Sequence, residues 1–168
     1  DAMYAGIVID TNNFTNQTGV RTFEAAAFLR RNGADVTRVR KLFRDDMQDY
    51  KARAAAISSA EIYREAFSIG VCPSEGLPSP TIVCAQAANE LLEIKGIKAS
   101  VVMTEYHGLI YLSARSIDEV NVQVMMEKLG GGGHRTIAGA QLSGISMEEA
   151  KDRVKAVIDE MLQKGDIS

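Results

Sequence analysis

An α/β fold in two unequal parts is predicted by three features of the sequence. Two apolar, β-branched runs, Ala99 to Glu105 and Leu109 to Ala114, flank the turn candidate Tyr106-His107-Gly108. Stretches with apolar residues at helical spacing lie on either side of them. A loop between a strand signal and a helix signal, Pro73 to Pro80, holds all 3 prolines of the chain. With 168 residues, 46 % hydrophobic and 24 % charged, the chain is large enough for one or two small domains, and disorder and collagen-like structure are excluded.

Ala2 to Ile9 is apolar but of ambiguous period, and it ends in the polar run Asp10-Thr11-Asn12-Asn13, which places Asp10 at the lip of a core. Thr22 to Arg31 repeats Ala, Leu and Phe at helical spacing and stops at Asn32-Gly33, a helix C-terminal signal. Asp35 caps a second helix carrying Val36, Val39, Leu42 and Phe43. From Asp45 to about Ala66 an Ala-rich, charge-laced stretch without Gly or Pro predicts a helix bridging two bodies. The expected organisation is therefore residues 1–45, a linker helix over 46–66, and a second domain over 67–168. In that domain Phe67 to Cys72 is a strand, Thr81 to Ile94 a helix closed at Gly96, and 99–114 the hairpin. Asn121 to Leu129 is a short helix running into Gly130 to Gly133. Ser146 and Glu149 form a capping box that opens an amphipathic helix bearing Val154, Val157, Ile158, Met161 and Leu162.

Nineteen Lys and Arg against 22 Asp and Glu give a net charge of −3, so the overall field does not attract polyanions and any phosphate site must be built locally. Cys72 and Cys84 are too few for a disulfide framework and lack zinc-ligand spacing, which predicts two reduced thiols. No apolar stretch approaches the ~20 residues of a membrane span. The chain begins at Asp1 without a signal-type segment, as a piece of a longer protein would.

The strongest chemical signal is Gly130-Gly131-Gly132-Gly133-His134-Arg135-Thr136. Consecutive glycines bring bare backbone N–H groups against a phosphate or nucleobase, and His and Arg add side-chain donors. A flexible linker has the same composition, but the adjacent His and Arg between helix and strand signals argue against it. A second cluster, Ser113-Ala114-Arg115-Ser116 with Asn121 after it, ends a strand. There Arg115 would clamp a phosphate bidentately while Ser113, Ser116 and Asn121 orient a sugar or base; the alternative is a surface Arg beside a helix cap. The third candidate, Asp10, is a metal ligand or a plain turn residue. His107 suits a solvated turn, and Met103, Met125 and Met126 suit core filling. No Ser-His-Asp or Cys-His pattern supports nucleophilic catalysis.

Ser113-Ala-Arg-Ser, Glu119-Val-Asn-Val-Gln, Met126-Glu-Lys-Leu, Gly130-Gly-Gly-Gly-His134 and Ala140-Gln-Leu-Ser-Gly-Ile-Ser146 together resemble the DHH-associated domain of the DHH phosphodiesterases, in particular the GdpP-type cyclic di-AMP phosphodiesterases. Gly6-Ile-Val-Ile-Asp10-Thr-Asn-Asn-Phe14, Thr18-Gly-Val-Arg21-Thr-Phe and Leu29-Arg-Arg-Asn-Gly33-Ala-Asp35 resemble the last segment of the catalytic DHH domain, so the similarity spans almost the whole chain. The resemblance implies an α/β substrate-binding domain with a mixed sheet, following the end of a catalytic domain. It implies hydrolysis of cyclic di-AMP to the linear dinucleotide pApA by an intact enzyme with two Mn²⁺ ions, of whose ligands Asp10 alone is matched here. Arg115 matches a phosphate-binding arginine, and Gly131, Gly132, Gly133 and His134 match a substrate-binding motif. Ile137 departs from the alanine common among relatives and narrows the nucleotide slot. Two metals about 3.5 to 4 Å apart serve in-line phosphodiester attack, and one carboxylate does not hold such a pair, so this chain alone is expected to be inactive. Oligoribonuclease, adenosine 3′,5′-bisphosphate phosphatase and exopolyphosphatase activities belong to the same resemblance, as does a non-catalytic nucleotide- or RNA-binding module. The remaining expectations are an upstream part of the same protein as partner, a homodimer as one form of assembly, and a cytoplasmic location with membrane helices further upstream.

Overall fold

The computed structural model describes residues 1–165, which divide into two compact units, Asp1–Asp45 and Asp46–Ser168. The first holds three helices, α1 (Ala2–Asp10), α2 (Val20–Arg31) and α3 (Val36–Leu42). The Asp35 carboxylate accepts hydrogen bonds from the backbone N–H groups of Thr37 (2.9 Å) and Arg38 (3.2 Å), so it caps α3 as its position suggested. Asp1 ties the start of α1 to the same place, accepting from the Asp35 backbone N–H at 2.8 Å and pairing with Arg38 at 3.1 Å. The Phe14 ring stacks on Phe23, with centroids 5.5 Å apart. The segment of ambiguous period is thus a helix. Asp10 is its exposed last residue, immediately before buried Thr11.

The second unit contains α4 (Met47–Ser58), β1 (Glu61–Tyr63), β2 (Phe67–Val71), α5 (Pro80–Leu91), β3 (Ala99–Tyr106), β4 (Leu109–Ser116), α6 (Val122–Glu127), β5 (Gly132–Gly133), β6 (Ile137–Ser143) and α7 (Met147–Lys164). The uninterrupted helix expected over 46–66 is corrected, since α4 ends at Ser58 and the chain turns into β1. Helix propensity loses there to tertiary bonding. β1 pairs antiparallel with β2, and the Tyr63 hydroxyl and the Arg64 guanidinium both donate to Asp159 of α7, at 2.9 and 2.8 Å.

The six strands form one mixed sheet in the order β1-β2-β3-β4-β6-β5. β2 and β3 are parallel and joined through α5, while the other pairs are antiparallel. Pro80 opens α5 at its first turn, where a missing N–H is harmless. On one face of the sheet Ala56, Val83, Cys84, Ala87, Ala88 and Leu91 of α4 and α5 pack with Val102. On the other, Met125, Met126, Val154, Ile158 and Met161 of α6 and α7 pack with Ile69, Val101, Met103 and Leu112. The Ser146–Glu149 capping box is formed, the Glu149 N–H donating to the Ser146 hydroxyl at 3.2 Å and the Ser146 N–H donating to the Glu149 carboxylate at 2.7 Å. Among the described residues no helix is long and apolar enough to cross a membrane.

Candidate functional site

Strict alternation along β4 divides its side chains between two environments. Ile110, Leu112, Ala114 and Ser116 are buried, whereas Tyr111, Ser113 and Arg115 are half-buried on the opposite face. Strand register carries that second face outward, with Arg115 opposite Ile137, Ser113 opposite Gly139, Tyr111 opposite Gln141, and Gly139 opposite Gly132 of β5. Helix α5 covers its inner part, where the Ala88 carbonyl accepts from the Ser100 hydroxyl at 2.6 Å and the Val102 carbonyl accepts from the Cys84 thiol at 3.0 Å. Toward the outer edge Ile137 and Gln141 are exposed, and a cavity of about 480 Å³ opens between Tyr111, Gln141 and the glycines 130, 131 and 139.

The glycines of this face are small for different reasons. A Cβ on Gly131 would sit 2.1 Å from the Gly139 carbonyl oxygen, and one on Gly139 would sit 2.8 Å from that of Leu112, so close strand approach excludes any side chain at both. A Cβ on Gly132 meets nothing within 4 Å. Packing therefore does not explain Gly132, which leaves a stretch of bare backbone open to a ligand. His134 follows at the β5–β6 turn, its N–H donating to the Ile137 carbonyl at 2.7 Å, and its imidazole is exposed without a hydrogen bond among the described residues.

Arg115 lies beside this strip. One guanidinium N–H donates to the Ala114 carbonyl at 2.9 Å, while Nε is buried and without an acceptor among the described residues. Burial pushes the guanidinium pKa down from its ordinary value, yet the group remains charged. A buried donor left unpaired costs roughly 1–3 kcal/mol. Beneath it, burial pushes the Cys84 thiol up to about 12, against hydrogen bonding from Ser113 that lowers it.

The structure thus brings together Ser113, Arg115 and Gly132, with Gly131 and Gly133 as the strand frame and His134 at its end. It does not bring Ser116 or Asn121 to them. The Ser116 hydroxyl faces the core and donates to the Val120 carbonyl at 2.6 Å. The Asn121 side-chain oxygen accepts from the N–H groups of Gln123 (3.1 Å) and Val124 (3.4 Å), capping α6. Tyr111 and Gln141, absent from the sequence-derived set, line the cavity; continuing the alternation backward from Arg115 would have found Tyr111. Asp10, at the C-terminal end of α1, sits where the helix dipole disfavours a carboxylate, so no local stabilisation accounts for it. Among the described residues no three His, Cys, Asp or Glu side chains converge as a metal site, so these residues do not by themselves fit a metal pair.

The domain is an α/β sheet with a glycine-walled slot and a half-buried arginine, and comparison assigns its class: the chain belongs to the DHHA1 domain family, whose model matches residues 79–164. It is 42 % identical over 159 residues to the cyclic-di-AMP phosphodiesterase PdeA of Listeria monocytogenes, covering 94 % of this chain and 24 % of that protein. It is 42 % identical over 166 residues to the cyclic-di-AMP phosphodiesterase GdpP of Bacillus subtilis, covering 98 % of this chain and 25 % of that protein. The chain thus spans about a quarter of the length of these relatives. An exopolyphosphatase-related protein from Bacteroides fragilis shares the fold, with a TM-score of 0.81 over 92 % of this chain and 48 % of that one at 21 % identity.

Proposed function

We propose that this chain is the substrate-binding part of a phosphodiesterase that hydrolyses cyclic di-AMP to pApA. The observation that carries the reading is the register that sets Arg115 and Ser113 beside the backbone of Gly139 and Gly132 on one open sheet face. A charged fork beside a sheet face that glycine leaves without side chains lets a phosphodiester approach the backbone closely and bind in a fixed pose. Similarity to two cyclic-di-AMP phosphodiesterases supports the choice of substrate. In the proposed division of labour, residues 1–45 end the catalytic domain, the segment from 46 to 66 leads out of it, and 67–168 bind. Manganese, two ions in the intact enzyme, would be held mainly by side chains outside this chain, with Asp10 contributing one carboxylate. A cytoplasmic placement with an upstream membrane anchor belongs to the same proposal.

The test is hydrolysis of cyclic di-AMP, short oligoribonucleotides and adenosine 3′,5′-bisphosphate by the intact protein supplied with Mn²⁺. Cyclic di-AMP should be the best substrate, Asp10→Ala should abolish its turnover without changing thermal stability, and the 168-residue chain alone should show none. Preference for either other substrate would replace the reading. Melting of the Asp10→Ala variant would make Asp10 a structural residue.

A further inference from the structure

The geometry points to a nucleobase subsite made by Tyr111 and Gln141, which gives the substrate slot a direction and an adenine preference. The inference rests on the phosphate-binding reading of Arg115 proposed above. Tyr111 and Gln141 are directly opposite one another across β4 and β6, and both line the 480 Å³ cavity. Next to them Gly139, on the same face, cannot carry a side chain, because its Cβ would sit 2.8 Å from the Leu112 carbonyl oxygen.

Tyr111 is braced from behind. Its ring meets Tyr106 at a centroid distance of 6.4 Å and a tilt of 54°, and Tyr106 in turn meets His107 at 3.9 Å. A tilted brace holds the ring without a face-to-face stack, and half-burial leaves Tyr111 accessible from the cavity. An aromatic ring at a bare backbone floor is a stacking platform for a base. Gln141 supplies what stacking lacks. Its carboxamide has no hydrogen bond among the described residues, and it carries one donor group and one acceptor side by side. That pair matches the N6 donor and N7 acceptor of adenine, whereas guanine offers two acceptors, O6 and N7, at the same edge and leaves the Gln oxygen facing one of them.

Arg115 and Tyr111 lie on the same face of one strand, four residues or about 13 Å apart, with Ser113 between them. The phosphate therefore sits at the Arg115 end and the base at the hairpin end. Exposed Ile137, opposite Arg115, flanks the phosphate end and is not a base contact.

Calorimetric titration of pApA and pGpG into the 168-residue chain, with thermal unfolding in parallel, tests the assignment. The wild type should bind pApA about tenfold more tightly than pGpG. Gln141→Arg should reverse that order, because arginine pairs with guanine O6 and N7. Tyr111→Ala should weaken both ligands roughly tenfold, while Tyr111→Phe keeps wild-type affinity. If Arg115→Ala weakens pApA binding, but Gln141→Arg leaves the base preference unmoved and Tyr111→Ala leaves affinity unmoved, the base subsite is wrong and the phosphate site stands. A wild type that binds neither dinucleotide overturns both.

Discussion

The two compact units use apolar residues very differently. In Asp46–Ser168 helices pack against both faces of the sheet, leaving the outer part of the Arg115 face open, and side chains as large as Leu91, Met125, Met126 and Ile158 are fully enclosed. In Asp1–Asp45 the buried set is Ala5, Thr11, Ala26, Ala34 and Val39, while Met3, Ile9, Val20, Phe23, Phe28 and Leu42 are exposed, Phe28 at 64 %. Both regions have apolar residues at helical spacing, but only the second closes a core around them. Periodicity thus specifies a helix and the face it offers; it does not supply the surface that covers that face. The first unit's polar ties, such as the Asp35 cap and the exposed Asp1–Arg38 pair, are individually weak.

This contrast can be broken by substitution, and the largest effect is expected in the second unit. Met126→Ala should cost about 2–5 kcal/mol in urea unfolding, through lost burial plus the cavity left behind. A cost below about 1 kcal/mol would mean that this core is not closed as described. Ser146→Ala should cost ~1 kcal/mol by opening the α7 capping box. Phe28→Ser should stay within about 0.5 kcal/mol, because little of that ring leaves water on folding. The thiols sharpen the same point without mutation. Burial pushes Cys72 up to about 11 and Cys84 up to about 12. At pH 8 both should therefore resist a thiol reagent in the native state and react once urea unfolds the chain. Rapid native labelling would show that the α5 face opens.

Much of the second unit was legible in the sequence because its signals were local. The Ser146–Glu149 box, the hairpin at His107-Gly108 and the Asn121 start of α6 each rest on chemistry within a few residues, as does Asn32-Gly33 after α2 in the first unit. Strand β6 was not read, since Ala138, Gly139 and Ala140 have little β propensity and are held by pairing with β4 across more than 20 positions of sequence. The end of α4 at Ser58 was missed for the same reason, as Asp159 lies about 100 residues beyond the turn it anchors. Within the site, residue type identified Arg115 and the glycine run, but only register separated Ser113 from Ser116 and showed that Asn121 is engaged as a cap.

The central claim is that the open face beside Arg115 binds a phosphodiester against bare backbone at Gly132. The most direct measurement is the affinity of pApA for the wild type, Gly132→Val and Arg115→Ala, with each variant's thermal stability taken alongside. Gly132 has open space around it and no left-handed φ, so Gly132→Val should fold as the wild type does and still block the ligand. Arg115→Ala should lose a charge-assisted contact of ~1.5–3 kcal/mol, roughly ten- to a hundredfold in affinity, together with much of the salt dependence. Folded variants that bind pApA as tightly as the wild type would contradict the claim and make both clusters structural.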